Sequence, residues 1–431
     1  MLKRLFGFDS RTTTVRTEIF SGITSFLTMS YILAVNPSIF SALDGMPTGA
    51  VFTATALVSI FGSLLIALVA KMPFAIAPSM GSNAFFVFTI CLGMGYSWQF
   101  ALTAVFLEGI IMMILTLTKL REAIVNAIPK TIKQSITVGI GLFIAFIGLQ
   151  NAGLVVNDES TLVRLGDITS NGVILAITGI ILTAVLTIRN VKGGLLIGIL
   201  ATTLIGIPMG ITHLDGVISA PESVGPIFCQ FEWEKIFTLD MLIVVISFLS
   251  LDLVALTGTA IGVCVKEGYA DKDGKIPAIN KVFIADSAAT ISSGIFGTSA
   301  ACMLIESTAG AAQGGRSGLS AFTTSLCFAA ALFFSPLFLA IPSAATAPIL
   351  IIVGLMMFSS IKEIDLNDYS EAIPAFITII VMPLAYSIAD GILLGVISYV
   401  ALNLLTGKHK KMTIGMYILA ALFIMKYIFV R

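Results

Sequence analysis

Glu306, Asp252 and Asn83 are the residues best placed to do chemistry in this chain, because each lies in a stretch that otherwise reads as membrane-embedded. Glu306 stands in residues 297–319, GTSAACMLIESTAGAAQGGRSGL, where a span is due but small and polar residues dominate. A charge at membrane depth is costly and marks a ligand site or an ion pathway. A matching stretch far upstream, residues 77–86 (APSMGSNAFF), is broken in the same way and carries Asn83 where the later one has Glu306. Asp252 lies mid-span in SFLSLDLVALTGTAIG. There it can bind a polar solute, carry a proton or do both by titrating; the plainer reading has it satisfied by hydroxyls such as Ser250 or Thr257. Glu108 in VFLEGII and Asp286 in FIADSAA are further acids within apolar runs, read here as bonding to neighbouring spans.

These groups suit the binding and release of a solute rather than bond-making. HExxH, GxSxG and GxxxxGK[ST] are absent, so neither an enzyme nor a bound cofactor is expected. The five cysteines, Cys91, Cys229, Cys264, Cys302 and Cys327, form no CxxC pair. A disulfide framework and a zinc or other metal site are therefore not indicated, and the thiols are assigned to helix packing. Phe26, Phe85, Phe86 and Phe248 offer faces for a planar ligand, although packing is their commoner use.

The elements that must position these residues are membrane spans. Hydrophobic residues make up 57% of the chain and charged ones only 11%, against about 25% charged in soluble proteins. This is the composition of an all-α polytopic membrane protein, with no basic surface domain for nucleic acid. No cleavable signal peptide follows the basic start MLKRLFGFDSRTTTVR, so the first span is expected to direct insertion. Apolar runs of spanning length fall at about 18–35, 51–70, 98–117, 132–149, 172–188, 193–210, 239–263, 282–296, 320–337, 345–360, 372–387 and 391–405. With the broken segments at 73–92 and around Glu306, the count is fourteen; a further apolar run at 412–430 is either an extra span or an interfacial helix. With the N-terminus inside, every Lys and Arg before that last run falls on the cytoplasmic side except Arg164 and Lys235. Arg316 in QGGRSG is read as one of these topological anchors.

The chain also repeats itself. SFLTMSYILA from Ser25 is echoed by SFLSLDLVAL from Ser247, and the same offset, 247 − 25 = 222, carries Asn83 to within one residue of Glu306. The pair Ile128-Pro129 is echoed by Ile341-Pro342, and KGGLLIG at Lys192 by DGILLG at Asp390. Seven segments per repeat, an odd number, insert the two halves in opposite senses, and paired broken segments are the sequence mark of a secondary transporter's binding site. Irregular backbone survives at membrane depth only where protein or a water-filled cavity covers it, so the two breaks should meet near the midplane. Half-helices starting near Ser82 and Ile305 would aim free N–H groups at one cavity. Asn83 is equally explained as a plain N-cap.

Taken together, GITSFLTMSYILAVNP, APSMGSNAFF, VFLEG, IPKTIKQSITVGIGLFIAFIGLQNAG and IESTAGAAQGGRSGL resemble the nucleobase:cation symporters, in particular the guanine/hypoxanthine (AzgA-like) permease branch of the xanthine/uracil permease superfamily. The resemblance implies a uracil-permease-like 7+7 inverted repeat of fourteen segments. It further implies a core domain of residues 1–120 and 239–340 and a gate domain of 121–238 and 341–431, the latter including the C-terminal apolar run. It implies proton-coupled purine uptake, with Asn83 and Glu306 matching the family's substrate-contacting Asn and Glu. In the eighth segment the branch carries two acids three residues apart, whereas DLVALTGT has Asp252 at the first position and Ala255 at the second. Asp252 lies one turn from Ala255 on the same helical face. A planar purine needs a carboxylate to accept from ring N–H groups and backbone N–H groups to donate to a carbonyl. Asn83, Glu306 and Asp252 with their neighbours Ser82, Ala84 and Ser307 form the expected binding set, and Asp252 and Glu306 are the proton-coupling candidates. The expected partners are a nucleobase, a proton, the lipid bilayer of the cell membrane and a second copy of the chain. Two rival readings are an anion transporter on the same fold and a purine sensor that has lost transport.

Overall fold

A backbone that enters hydrocarbon must satisfy its own hydrogen bonds, so this chain is mostly helix, and two of its breaks complete each other. The structure, a computed structural model, describes residues 1–431 except 119, 122–128, 215, 257–278, 409–411, 413–414, 418–419, 422–423 and 425–431, and excludes the side chains of 254–256 and 305. Thr257, Cys264, the end of the eighth span and most of the last apolar run lie outside the described residues.

After a short α1 (Leu2–Phe6), the first half runs through α2 (Val15–Met29), α3 (Ile32–Phe40), α4 (Thr48–Leu65), strand β1 (Ile76–Pro78), α5 (Met80–Ala84) and α6 (Trp98–Leu117). Next come α7 (Lys130–Asn151), the exposed hairpin β2 (Val155–Asp158) and β3 (Leu162–Leu165), α8 (Asn171–Ile188) and α9 (Gly194–Gly206). The second half contains α10 (Leu239–Leu256), α11 (Ile279–Phe296), β4 (Ala301–Met303), α12 (Thr308–Ala311), α13 (Gly318–Ala331) and α14 (Ser335–Leu339). It ends with α15 (Ser343–Phe358), α16 (Tyr369–Leu384) and α17 (Ile388–Leu405). Among the described residues eight helical stretches are long and apolar enough to cross a membrane, and Met80–Gly93, Gly194–Gly206 and Tyr369–Leu384 are shorter apolar helices.

The helices pack in two sets. α2, α4, α6, α11 and α13 lie against one another around the two strands, while α7, α8, α9, α15, α16 and α17 form the other group. Small residues allow the close approaches. A Cβ on Gly310 would lie 2.1 Å from Ser25 Oγ, so the short α12 can sit directly on α2 only because no side chain intervenes. Glu18, fully buried at the start of α2, accepts hydrogen bonds from the backbone N–H of Arg316 at 2.8 Å and of Ser317 at 3.4 Å, and from the Ser320 hydroxyl. The loop that carries Arg316 is therefore tied to α2 through its main chain as well as bearing a charge.

Candidate functional site

The two breaks foreseen in the sequence meet. β1 and β4 pair antiparallel, with Ile76 opposite Met303, Ala77 opposite Cys302 and Pro78 opposite Ala301. The ladder is extended at both ends, by Ser79 N–H to Ala300 O at 3.1 Å and Leu304 N–H to Ala75 O at 3.3 Å. Its outer edges are closed by hydroxyls. Ser63 of α4 bonds both backbone groups of Ile76 at 3.2 Å, and Thr290 of α11 donates to Ala301 O at 2.9 Å. A two-stranded ribbon with open edges is marginal even in water; here neighbouring helices meet the outward groups of Ile76 and the Ala301 carbonyl.

A half-helix leaves each strand. Ser79 is the N-cap of α5, accepting from Ser82 N at 3.2 Å, so the cap is three residues earlier than the half-helix start read from sequence, and Asn83 is not the capping residue. α5 continues as a π-helical stretch, Phe85–Gly93. On the other side a 3-10 turn, Ile305–Ser307, leads into α12. Thr28 donates to Glu306 O at 3.0 Å and Ser25 to Ser307 O at 3.1 Å, so hydroxyls of α2 hold that turn.

Each sequence-derived site residue can now be placed. Glu306 is half-buried, and its Oε1 accepts from the Tyr31 hydroxyl at 2.6 Å, a short charge-assisted bond. Asn83 is fully buried; its Oδ1 accepts from the Ser299 hydroxyl, and its Nδ2 has no partner among the described residues. Ser82 and Ala84 are buried beside it, and the Ser82 hydroxyl donates to Asp252 Oδ1 at 3.4 Å. Ser307 is buried and donates to Leu304 O at 2.7 Å. Asp252 is thus joined to the first half-helix rather than to Ser250, whose hydroxyl bonds Ile246 O in its own helix. Asn83 and Glu306 share no hydrogen bond; they follow opposite ends of the strand pair. Cys302, in the middle of β4, is within electrostatic reach of Asp252, Asp286 and Glu306, which puts three acids around one strand.

The aromatic rings serve as packing. Phe85 meets Phe248 edge-on at 4.7 Å between centroids, Phe86 leans on Phe40 at 5.0 Å and Phe26 meets Phe328 edge-on at 5.1 Å. Cys91 and Cys302 are buried and Cys327 is half-buried, whereas Cys229 is exposed in a loop whose main chain bonds Ile295 O of α11 at 2.8 Å.

Three features lay beyond the sequence reading. Tyr31 and Ser299 supply the partners of Glu306 and Asn83, and nothing local marks an ordinary Tyr or Ser for that role. Arg121, assigned to a cytoplasmic loop by its charge, is 1% exposed; it pairs with Asp286 Oδ2 at 3.3 Å, and its guanidinium lies 4.3 Å from the Phe283 ring centroid. Glu108 makes no hydrogen bond to a donor among the described residues and instead faces Asp252.

Two paired strands at buried depth, each launching a half-helix, with acids gathered around the crossing, define a membrane carrier of the half-helix type. The comparison with known proteins makes this specific. Residues 16–394 match the "Permease family" model of xanthine/uracil permeases, and the chain belongs to that family. It is 41% identical over 430 residues to the adenine permease AdeP of Escherichia coli, spanning 100% of this chain and 96% of the relative. It is 42% identical over 442 residues to the guanine/hypoxanthine permease PbuG of Bacillus subtilis, spanning 100% of both. In solved structures, the transmembrane domain of the cyanobacterial bicarbonate transporter BicA superposes with a TM-score of 0.63 at 17% identity, over 90% of this chain and 98% of that one, a likeness of fold. The chain is therefore an integral membrane transport protein and not an enzyme.

Proposed function

We propose that this protein imports a purine nucleobase across the cell membrane together with a proton, guanine or hypoxanthine foremost, with adenine and xanthine as the alternatives. The observation that carries the reading is the Glu306 carboxylate, half-buried just after the paired strands that launch the two half-helices and aligned by Tyr31. A carboxylate there accepts from ring N–H groups, and the first backbone N–H groups of α5 and of the turn at Ile305 donate to a carbonyl or ring nitrogen. Relatives named as adenine and guanine/hypoxanthine permeases support the purine class. Asn83, Asp252, Ser82, Ala84 and Ser307 complete the proposed set. The grouping of helices into two packed sets supports movement of a core (1–120 and 239–340) against a gate (121–238 and 341–431), exposing the site to each side in turn. In this proposal the fourteen segments form a 7+7 inverted repeat with the N-terminus in the cytoplasm, and two copies assemble as a homodimer.

The test is uptake of radiolabelled adenine, guanine, hypoxanthine, xanthine and uracil by cells lacking their own nucleobase carriers, at several external pH values and with a protonophore. Purine uptake that rises with external acidity and collapses with the protonophore is the expected result. Bicarbonate or sulfate uptake indifferent to purines would replace this reading with the anion carrier. Purine binding without accumulation would replace it with the sensor.

A further inference from the structure

We infer that the transported proton is held between Glu108 and Asp252, apart from the carboxylate that meets the substrate; this deepens the proton-coupled reading and rests on it. Glu108 projects from α6 and Asp252 from α10, both essentially sealed from solvent. As carboxylates, Glu108 Oε1 and Oε2 and Asp252 Oδ2 have no donor among the described residues. The helices that carry them pack against each other, and each carboxyl lies within electrostatic reach of the other. Two carboxylate anions give each other no hydrogen bond and repel, but one proton between them supplies the missing donor and removes one buried charge. Two buried, neighbouring carboxyls without a donor suit an acid–carboxylate pair.

The surrounding charges leave the pair in need of that proton. Asp286 of α11 reaches Glu108 through its field, but Asp286 is already bonded to Arg121 at 3.3 Å. Among the described residues Arg121 is the cation that acts on Glu108, Asp252 and Asp286 together. Among the described residues the Cys302 thiol on β4 also faces the cluster, and Glu306 reaches that thiol from beyond the strand's end. Three acids and one cation carry two uncompensated negative charges when all are ionised, and one when the pair holds a proton. Unpaired buried charge is what such an interior tolerates least.

The pair is also wired to the substrate site. Asp252 Oδ1 accepts from Ser82 Oγ at 3.4 Å, and Ser79 Oγ, the cap of α5, donates to Ser82 Oγ at 2.8 Å. A second negative charge appearing on the pair pulls on the hydroxyls that set the first turn of the substrate half-helix. Release is a plain transfer: the O–H bond of the protonated carboxyl breaks, its electron pair stays on the carboxylate, and water takes the proton as hydronium. Glu306 keeps its Tyr31 bond throughout and is free to serve the purine.

The experiment uses the full chain in proteoliposomes with labelled hypoxanthine and adenine. A one-unit pH gradient and one proton per substrate support about tenfold accumulation, since one pH unit is about 1.36 kcal/mol. The parent is expected to approach that ratio. Glu108→Gln is expected to stay near a ratio of one while still exchanging labelled for unlabelled purine across the membrane. Tenfold accumulation by Glu108→Gln would overturn the assignment while leaving proton coupling intact. A parent that accumulates purine on a sodium gradient and not on a pH gradient would instead remove the proton reading, and this assignment with it. Glu108→Asp guards against a variant that does not fold. It preserves an acid–carboxylate pair of altered spacing, so accumulation persists with a displaced pH profile; a profile superimposable on the parent's counts against the pair.

Discussion

Replacing Glu306 tests the substrate reading most directly, because the structure sets both the size of the effect and its side effects. Glu306→Ala deletes the proposed acceptor for a purine ring N–H. A hydrogen bond to a charged group is worth about 1.5–3 kcal/mol, and about 1.4 kcal/mol is tenfold in affinity, so purine binding should weaken by roughly 10- to 100-fold. Glu306→Gln keeps an oxygen acceptor without the charge. A neutral bond is worth about 0.5–1.5 kcal/mol, so its loss should be smaller, roughly 5- to 10-fold. The same substitution to Ala strips Tyr31, only 1% exposed, of its 2.6 Å acceptor. An unsatisfied buried hydroxyl costs about 1–3 kcal/mol, so Glu306→Ala should also lower the melting temperature, and the double variant with Tyr31→Phe should recover much of that stability without recovering binding. Equilibrium binding of labelled purine to purified protein, with melting followed in parallel, separates the two effects. Parental affinity in Glu306→Ala would refute the role given to this carboxylate, whatever happened to stability.

Other consequences follow from single contacts. Arg121→Met leaves Asp286 buried without its cation, a change of about 3–5 kcal/mol in similar settings; the melting temperature in detergent should fall sharply, and adding Asp286→Asn should restore most of it. Gly310→Val places a side chain where even a Cβ would lie 2.1 Å from Ser25 Oγ, so α12 must leave α2 and purine binding should be lost, whereas Gly172→Val, with open space around it, should bind as the parent does. In the loop before α10, Lys235 and then Ser97 hold the Glu232 carboxyl below its ordinary value of 4.5. A depressed carboxyl stabilises the folded loop above that ordinary value and stops doing so as pH falls through the lowered one. Protection against amide exchange at residues 231–236, taken relative to the intrinsic rate at each pH, should accordingly fall on acidification below about pH 4.5, and Glu232→Gln should abolish that step.

Much of the architecture could be read along the chain because membrane insertion is a local constraint. Span-length apolar runs, the Lys and Arg between them and each of the two Gly- and Ser-rich interruptions register within windows of about twenty residues. Glu306, Asp252 and Asn83 were conspicuous for the same reason, being costly where they stand. Capping was less legible: Ser79 and Asn83 are both good caps on paper, and only the exit of the chain from β1 decides that Ser79 takes the N–H of Ser82.

Partnership was not legible at all. Tyr31 meets Glu306, Ser82 meets Asp252 and Arg121 meets Asp286 across separations of 275, 170 and 165 residues. A buried acid announces by its cost that it needs a partner, but not which one, since a tyrosine, a serine or a second acid satisfies that need equally well in the sequence. Glu108 shows the difference most clearly: the chain says only that an acid sits in a span, and the crossing of α6 with α10 makes it the neighbour of Asp252. The sequence determined which segments enter the bilayer and where they break, because transfer free energy depends on each segment by itself. The tertiary structure alone decided which polar groups share a proton, a hydrogen bond or a charge, because those energies depend on distances that local sequence does not set.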